Sequence, residues 1–472
     1  MSKDEDINMV RYLVFILYCL LFLLAFFNLI KQYKYKKIIS GFICFQVAFI
    51  LYYICVPIIS FIIISIYPNQ LTGFILKISN ADSYDILNAF ICTFLMYILT
   101  YFVYHIRISK QSLTFQLVLE DRYNRGYYYL DEIKAYYLNK KGYFIVLVVG
   151  LILLIIGLIA DFMISESLGG FLKAISMGDK LRAFGSDNSR YIPENRLFLK
   201  VLMSAPLAST YLFAYALRYY KRFIPTFLLS ISLLASIFFL IVNSGKLPII
   251  LYVVPFFIDF IFRKTKYPFF YIGLFFIVGL AMLDPLDKLF FYLSFGFVKE
   301  RSGSILSLIN EFAFPYLNLL NVSKINEIYG LRLGKDLILW FINIVPTFIL
   351  RIFGLNKVTP GYVLITEYYN ASGGIPTDLI TFFIRQFGFI GIIIGGILIS
   401  RICKYIDKVI CTIYSDKIIF YVTRISLMMF VIVPYADLDA FVRNMYDMLF
   451  LFGVAIIFSN IVKKIRNNKR VV

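Results

Sequence analysis

Apolar runs of about twenty residues, long enough to cross a lipid hydrocarbon core as helices, recur along the whole chain. They occupy residues 9–30, 39–66, 86–104, 143–160, 197–217, 223–242, 249–262, 267–283, 379–400, 418–434 and 441–462. The pattern predicts about eleven spanning helices, because only helices and closed barrels satisfy every backbone group in lipid. One interval breaks the rhythm of short connections. Residues 284–378 form a large loop between the eighth and ninth helices, and 161–196 form a second, shorter one. Inside the large loop, 305–320 and 336–353 are short and amphipathic or aromatic, which suits lying at the interface or dipping into a cavity. No repeat and no Pro-rich or Ser-rich linker divides the chain, so residues 1–472 read as a single membrane domain.

Composition agrees with an all-α polytopic membrane protein. Of 472 residues, 61% are hydrophobic and only 16% are charged, too few to cover a water-soluble fold. Mean hydropathy is +0.81. Intrinsic disorder and a disulfide-rich secreted scaffold are excluded. Cys19, Cys44, Cys55 and Cys92 fall inside apolar runs, and Cys403 and Cys411 flank a basic loop, so neither a disulfide framework nor a metal site is implied.

The net charge of +19 is placed to set topology, not to bind nucleic acid. Basic clusters at Lys31–Lys37, Arg107–Lys141, Arg218–Arg222, Arg263–Lys266, Arg401–Lys408 and Lys463–Arg470 all fall on one side of the predicted spans. The positive-inside rule makes that side cytoplasmic. The expected location is the cell membrane (inner or plasma), multi-pass, with the N-terminus outside and the C-terminus in the cytoplasm. The first apolar run is too long for a signal peptide and is expected to stay as a helix.

Arginines on the outer side, close to apolar segments, are not explained by orientation. These are Arg182, Arg190, Arg196, Arg301, Arg332, Arg351, Arg385 and Arg443, joined by Lys246 in a tight turn. A guanidinium fork matches phosphate and pyrophosphate, so the set reads as a basic cavity for an anionic ligand. Taken singly, each also fits an ion pair or a side chain snorkelling into headgroups. Gly373-Gly374-Ile375-Pro376-Thr377-Asp378 leads into the helix carrying Arg385, with free backbone N–H groups at its start. Asp378 and Arg385, about two turns apart, share a face of that helix; Asp378 also reads as a plain N-cap. Glu367 and Asp378 are the outer carboxylates placed to act as a base, and Tyr368 offers a ring to a sugar. The single histidine, His105, falls at a cytoplasmic helix end, so histidine base catalysis outside is excluded on this topology.

With Ser244-Gly245-Lys246 following a span, the glycine-rich stretch above, and Gln386-Phe387-Gly388-Phe389-Ile390-Gly391 behind it, the chain resembles the repeat-unit polymerases of O-antigen, capsule and exopolysaccharide assembly, the Wzy class. The resemblance covers about twenty residues in its most specific stretch, beyond the general architecture of many helices and one long outer loop. It implies a GT-C-like membrane glycosyltransferase. Such an enzyme transfers a growing glycan from undecaprenyl pyrophosphate to the non-reducing end of a lipid-linked repeat unit. It implies no metal or nucleotide cofactor. The implied partners are the undecaprenyl-pyrophosphate-linked oligosaccharide, membrane lipids and, as a further possibility, a chain-length regulator protein. For that chemistry Arg385, Arg301, Arg190 and Arg443 would hold the pyrophosphate, and Glu367 or Asp378 would orient or deprotonate the acceptor. Lys246 and Tyr368 would contact substrate. Where related chains carry arginine after the Ser-Gly pair, this one has Lys246. Two alternatives stand beside this reading. A lipid-linked oligosaccharide flippase would also need a cationic cavity, although such transporters tend to have two similar halves. An O-antigen ligase shares the chemistry but resembles enzymes with an outer-loop histidine, which this chain lacks.

Overall fold

A computed structural model of the chain describes residues 3–36, 41–106, 140–178, 198–219, 223–242, 312–345, 347–356, 359–371 and 375–412, with scattered positions in 192–196, 248–293, 309–310 and 447–457. Among them all regular structure is helical. Among the described residues five helices are long and apolar enough to cross a membrane: Met9–Gln32, Gly41–Ile66, Ser83–His105, Tyr143–Ser167 and Phe223–Val242. Their outward faces carry exposed Leu13, Leu20, Phe27, Ile159, Phe162 and Leu234, as expected where lipid replaces water.

The first group of helices is α1 (Lys3–Lys36), α2 (Gly41–Ile66), α3 (Gly73–Ser79) and α4 (Ser83–His105). Lysine and arginine side chains fasten its two ends. Arg11 on α1 donates to the Ser79 and Ala81 carbonyls at 2.9 and 3.0 Å, joining α1 to the start of α4. The second group is α5 (Lys140–Ser167), α6 (Phe171–Ser176), α7 (Leu199–Leu202), α8 (Ala205–Tyr219) and α9 (Phe223–Val242). Here α5 and α8 meet closely because Gly157 leaves room for the Pro206 ring. The expected run 197–217 is therefore two pieces, broken at Met203–Ser204 just before Pro206, which has no N–H to continue a preceding helix.

The remaining described helices are α10 (Phe314–Tyr329), α11 (Lys335–Ile344), α12 (Thr347–Ile352), α13 (Gly361–Tyr368), α14 (Leu379–Phe387) and α15 (Ile390–Thr412). Much of the stretch read as a loop joins the first group. Phe314, Tyr316, Leu317, Leu319, Leu320 and Ile325 of α10 are buried in the same core as Tyr18, Tyr53 and Phe90. Lys324 anchors α10 to the start of α4, reaching Asp85 at 2.8 Å and Asp82 at 3.3 Å; the hydrogen bond to Asp85 holds its ammonium above the ordinary range. At the far end of α4, Lys404 of α15 donates to the Ile106 carbonyl at 2.7 Å.

Two local departures from regular helix shape the interior. Within α2, Leu51–Cys55 forms a π turn in which the Val56 N–H reaches back to the Leu51 carbonyl. The cause is one turn on: Pro57 has no N–H to give the Tyr53 carbonyl, so the helix widens ahead of it. The second departure replaces the single span expected over 379–400. Gly388 has φ 62°, a conformation that costs glycine little, and its N–H closes α14 on the Ile384 carbonyl at 2.7 Å. The chain then turns and restarts as α15, with Gly391 lying against the Phe383 carbonyl so closely that no Cβ fits. Gly391→Ala is expected to lower the thermal stability of the purified protein by about 1–3 kcal/mol, because the obstacle is backbone. Gly279→Ala, with nothing within 4 Å of its added carbon, should leave the melting temperature unchanged. Equal melting temperatures for the two would overturn the hairpin contact.

Candidate functional site

The candidate site is built on α14. Its 9 residues span about 14 Å, half a hydrocarbon core, so the helix cannot cross a membrane alone. It begins beside Tyr53, at the middle of α2, and its Arg385 carbonyl accepts from the N–H of Arg332, in the loop that follows α10, at 2.8 Å. Leu379 through Gln386 are all buried. For the apolar residues this is packing, whereas for Thr381, Arg385 and Gln386 it demands partners.

At the N-terminal end, Asp378 caps the helix. Its Oδ1 accepts from the Thr381 N–H at 3.1 Å and from the Tyr53 hydroxyl at 2.7 Å. The Tyr53 oxygen in turn accepts from the Ile380 N–H at 3.3 Å, so this one phenol serves both the carboxylate and an otherwise free N–H of the first turn. The π turn of α2 is what carries Tyr53 here. Beyond these bonds the pocket is incompletely hydrogen-bonded, although the Thr381 and Asn318 side chains lie toward the carboxylate. Asp378 Oδ2, Asn318 Oδ1, Thr377 Oγ1 and Thr381 Oγ1 are buried without a hydrogen-bond partner, although Asn318 fixes the approaching chain through the Pro376 carbonyl at 3.0 Å. Buried polar atoms left bare in this number are the exception in folded proteins, and they define a place where a hydroxylated ligand or water completes the bonding.

Toward the C-terminal end lies Arg385. The residue is 1% exposed, yet Nε, Nη1 and Nη2 all lack a partner. The carboxylate at this end, Asp336, is already committed. Arg332 holds it through Nη2 at 2.6 Å and Nε at 3.1 Å, and Gln386 Nε2 donates to it at 2.6 Å. Arg332 is itself held by the Thr359 carbonyl at 2.8 Å. The Arg332–Asp336–Gln386 cluster thus locks the loop onto α14 and leaves the Arg385 guanidinium with the Asp336 charge nearby but no hydrogen-bond partner of its own. A bare buried cation is strongly unfavourable, and an anion inserted there would meet five donors in a planar fork.

The other expected residues divide into two sets. Tyr368 is half-buried on α13; its hydroxyl donates to Asn321 Oδ1 at 3.3 Å, and burial pushes the phenol upward so that it stays a neutral donor. It packs edge to face on Tyr369, over which Lys77 sits at 5.0 Å. Glu367 is on the exposed side of the same helix, so α13 turns it away from the buried oxygens around Asp378. Arg190, Lys246, Arg301 and Arg443 lie outside the described residues. The structure adds Tyr53, Asn318, Thr381 and Asp336 to the candidates, and places Arg332, one of the outer arginines, on Asp336. Only Pro57, one turn after Tyr53, could have hinted at the first from sequence. Among the described residues no group of three His, Cys, Asp or Glu side chains converges as a metal site.

No protein-family model, curated protein or solved structure matches the chain.

Proposed function

We propose that the protein is a membrane glycosyltransferase that polymerises oligosaccharide repeat units carried on undecaprenyl pyrophosphate, in O-antigen, capsule or exopolysaccharide biosynthesis. In this reading about eleven helices span the cell membrane, the architecture is GT-C-like, the C-terminus is cytoplasmic and the α14 site opens to the outer side. The observation that carries the proposal is the buried Arg385 guanidinium with no hydrogen-bond partner, on the same short helix whose N-cap is a buried carboxylate with one bare oxygen.

The chemistry asks for those two groups. The sugar–phosphate bond of the donor breaks at the anomeric carbon, leaving its electron pair on the pyrophosphate, and a cation held in a water-poor site stabilises that developing charge. Arg385 does this. The acceptor hydroxyl of the incoming repeat unit bonds to the anomeric carbon and gives up its proton, which Asp378 Oδ2 takes as general base. Tyr53 and the Thr381 N–H hold the other carboxylate oxygen and so aim the free one. Arg190, Arg301, Arg443 and Lys246 extend the anion site in this proposal, Tyr368 supports a sugar ring, and a chain-length regulator is a further partner.

A lipid-linked oligosaccharide flippase is the second reading, favoured by the same bare guanidinium, which a transporter would use to hold a headgroup in transit. Deleting the gene in its host and sizing the surface glycan separates the readings. Loss of the polymerase leaves surface glycan of one repeat unit, loss of a flippase leaves none, and loss of a ligase leaves long chains on the lipid carrier. Surface glycan unchanged in both amount and chain length in the deletion strain would overturn all three.

A further inference from the structure

We infer that Asp161, in the second helix group, holds an exchangeable monovalent cation, either a proton or an alkali-metal ion. The residue stands well inside the apolar helix Tyr143–Ser167, one turn beyond Gly157, where α5 touches Pro206. It is 2% exposed, and its Oδ1 has no hydrogen-bond partner. One turn further along the same face, Ser165 is 1% exposed and its Oγ is equally bare. Ala160, Ile164, Leu199, Met203 and Val242 belong to one buried apolar cluster of this helix group.

A carboxylate in such surroundings needs a positive partner, and the charged groups on the packed elements are engaged or directed elsewhere. Glu166 and Arg196 pair with each other at 3.1 Å, and Arg196 also donates to the Ser167 hydroxyl at 3.0 Å. Lys173 of α6 folds over Gly169. Lys200 of α7 is half-buried and has an interaction of its own. The hydroxyls of Ser209, Thr210, Ser232 and Ser236 between α8 and α9 satisfy one another and the Pro206 carbonyl, so they leave Asp161 alone. An intramembrane carboxylate with no counter-ion among the described residues and a second bare oxygen one turn away is the arrangement that accepts a small cation. Proton and alkali ion satisfy the same need, neutralising the charge in place.

This inference does not depend on the glycosyltransferase reading. Its test uses the full chain in lipid nanodiscs. Infrared difference spectra between wild type and Asp161→Asn isolate this one carboxyl. In choline buffer at neutral pH the difference should show a protonated carboxyl band. If adding sodium or potassium converts it to the ionised band, the resident cation is an alkali ion. If only raising the pH converts it, the cation is a proton. An ionised band already present in choline at neutral pH overturns the inference, as does a protonated band unchanged by salt and by strongly alkaline pH. Melting temperatures give an independent measurement should the asparagine variant not fold. The wild-type value should depend on the concentration of the same cation, and Asp161→Ser should lose that dependence; equal dependence in both proteins overturns the assignment.

Discussion

Arg385→Met should melt at a higher temperature than the wild type and make no polymer. Both halves follow from the bare guanidinium. A buried charge without a partner costs stability, and an unbranched apolar side chain of similar length removes that cost while filling the space. The gain should be about 1 kcal/mol or more, since apolar replacements of buried ionic groups gain about 1–4 kcal/mol even where the charges are paired. Activity should fall at least about 10²–10³-fold, the loss seen when one preorganised donor to a developing negative charge is removed. Arg385→Lys keeps the charge but not the fork, and should lie between the two. Inorganic pyrophosphate provides a readout separate from catalysis. It should raise the melting temperature of the wild type, by about 2.7 kcal/mol of stability at a hundredfold excess over its dissociation constant, and have no effect on Arg385→Met. A methionine variant that melts lower and still makes long glycan would show that Arg385 has a structural partner.

What could be read in advance follows the range of the forces involved. Helices such as Phe223–Val242 and Ser83–His105 were legible because lipid demands a long uninterrupted apolar run, and composition alone registers it. The break at Gly388 was not, since glycine also serves close helix packing and nothing local marks a positive φ. Asp161 read as the first residue of a loop because it ends an apolar run, yet the helix continues to Ser167, leaving the acid inside. The burial of α10 was hidden by its mixed composition, with Asn318, Asn321 and Lys324 interrupting the apolar residues; each of those polar side chains is in fact answered by a bond to Pro376, Leu317 or Asp85. Arg385 was conspicuous because arginine is rare inside an apolar stretch. Its lack of a partner was not, because that depends on Arg332 and Gln386 claiming Asp336 first. The Tyr53–Asp378 bond joins residues 325 apart, a pairing no local pattern encodes.

Asp378→Asn should separate the two roles that this residue combines. As an N-cap, aspartate is matched by asparagine, whose amide oxygen can accept from the Thr381 N–H and the Tyr53 hydroxyl just as Oδ1 does. Stability should then change by less than about 0.5 kcal/mol. Asp378→Ala removes the cap, leaves the Tyr53 hydroxyl and the Thr381 N–H without their acceptor, and should cost about 1–2 kcal/mol. As a base the ranking differs. Asparagine places an N–H₂ where Oδ2 stood and cannot take a proton, so both variants should lose the same general-base contribution, about 10²–10⁴-fold. Polymer formation by purified protein, measured beside the melting temperature, reads both. If the asparagine variant polymerises like wild type while the alanine variant fails only as far as it unfolds, Asp378 is a cap alone, and the bare oxygens of Asn318, Thr377 and Thr381 bind water and not an acceptor sugar. If the asparagine variant is stable and inactive, the short helix supplies both charges of the reaction: the base at its N-cap and the cation in its last turn.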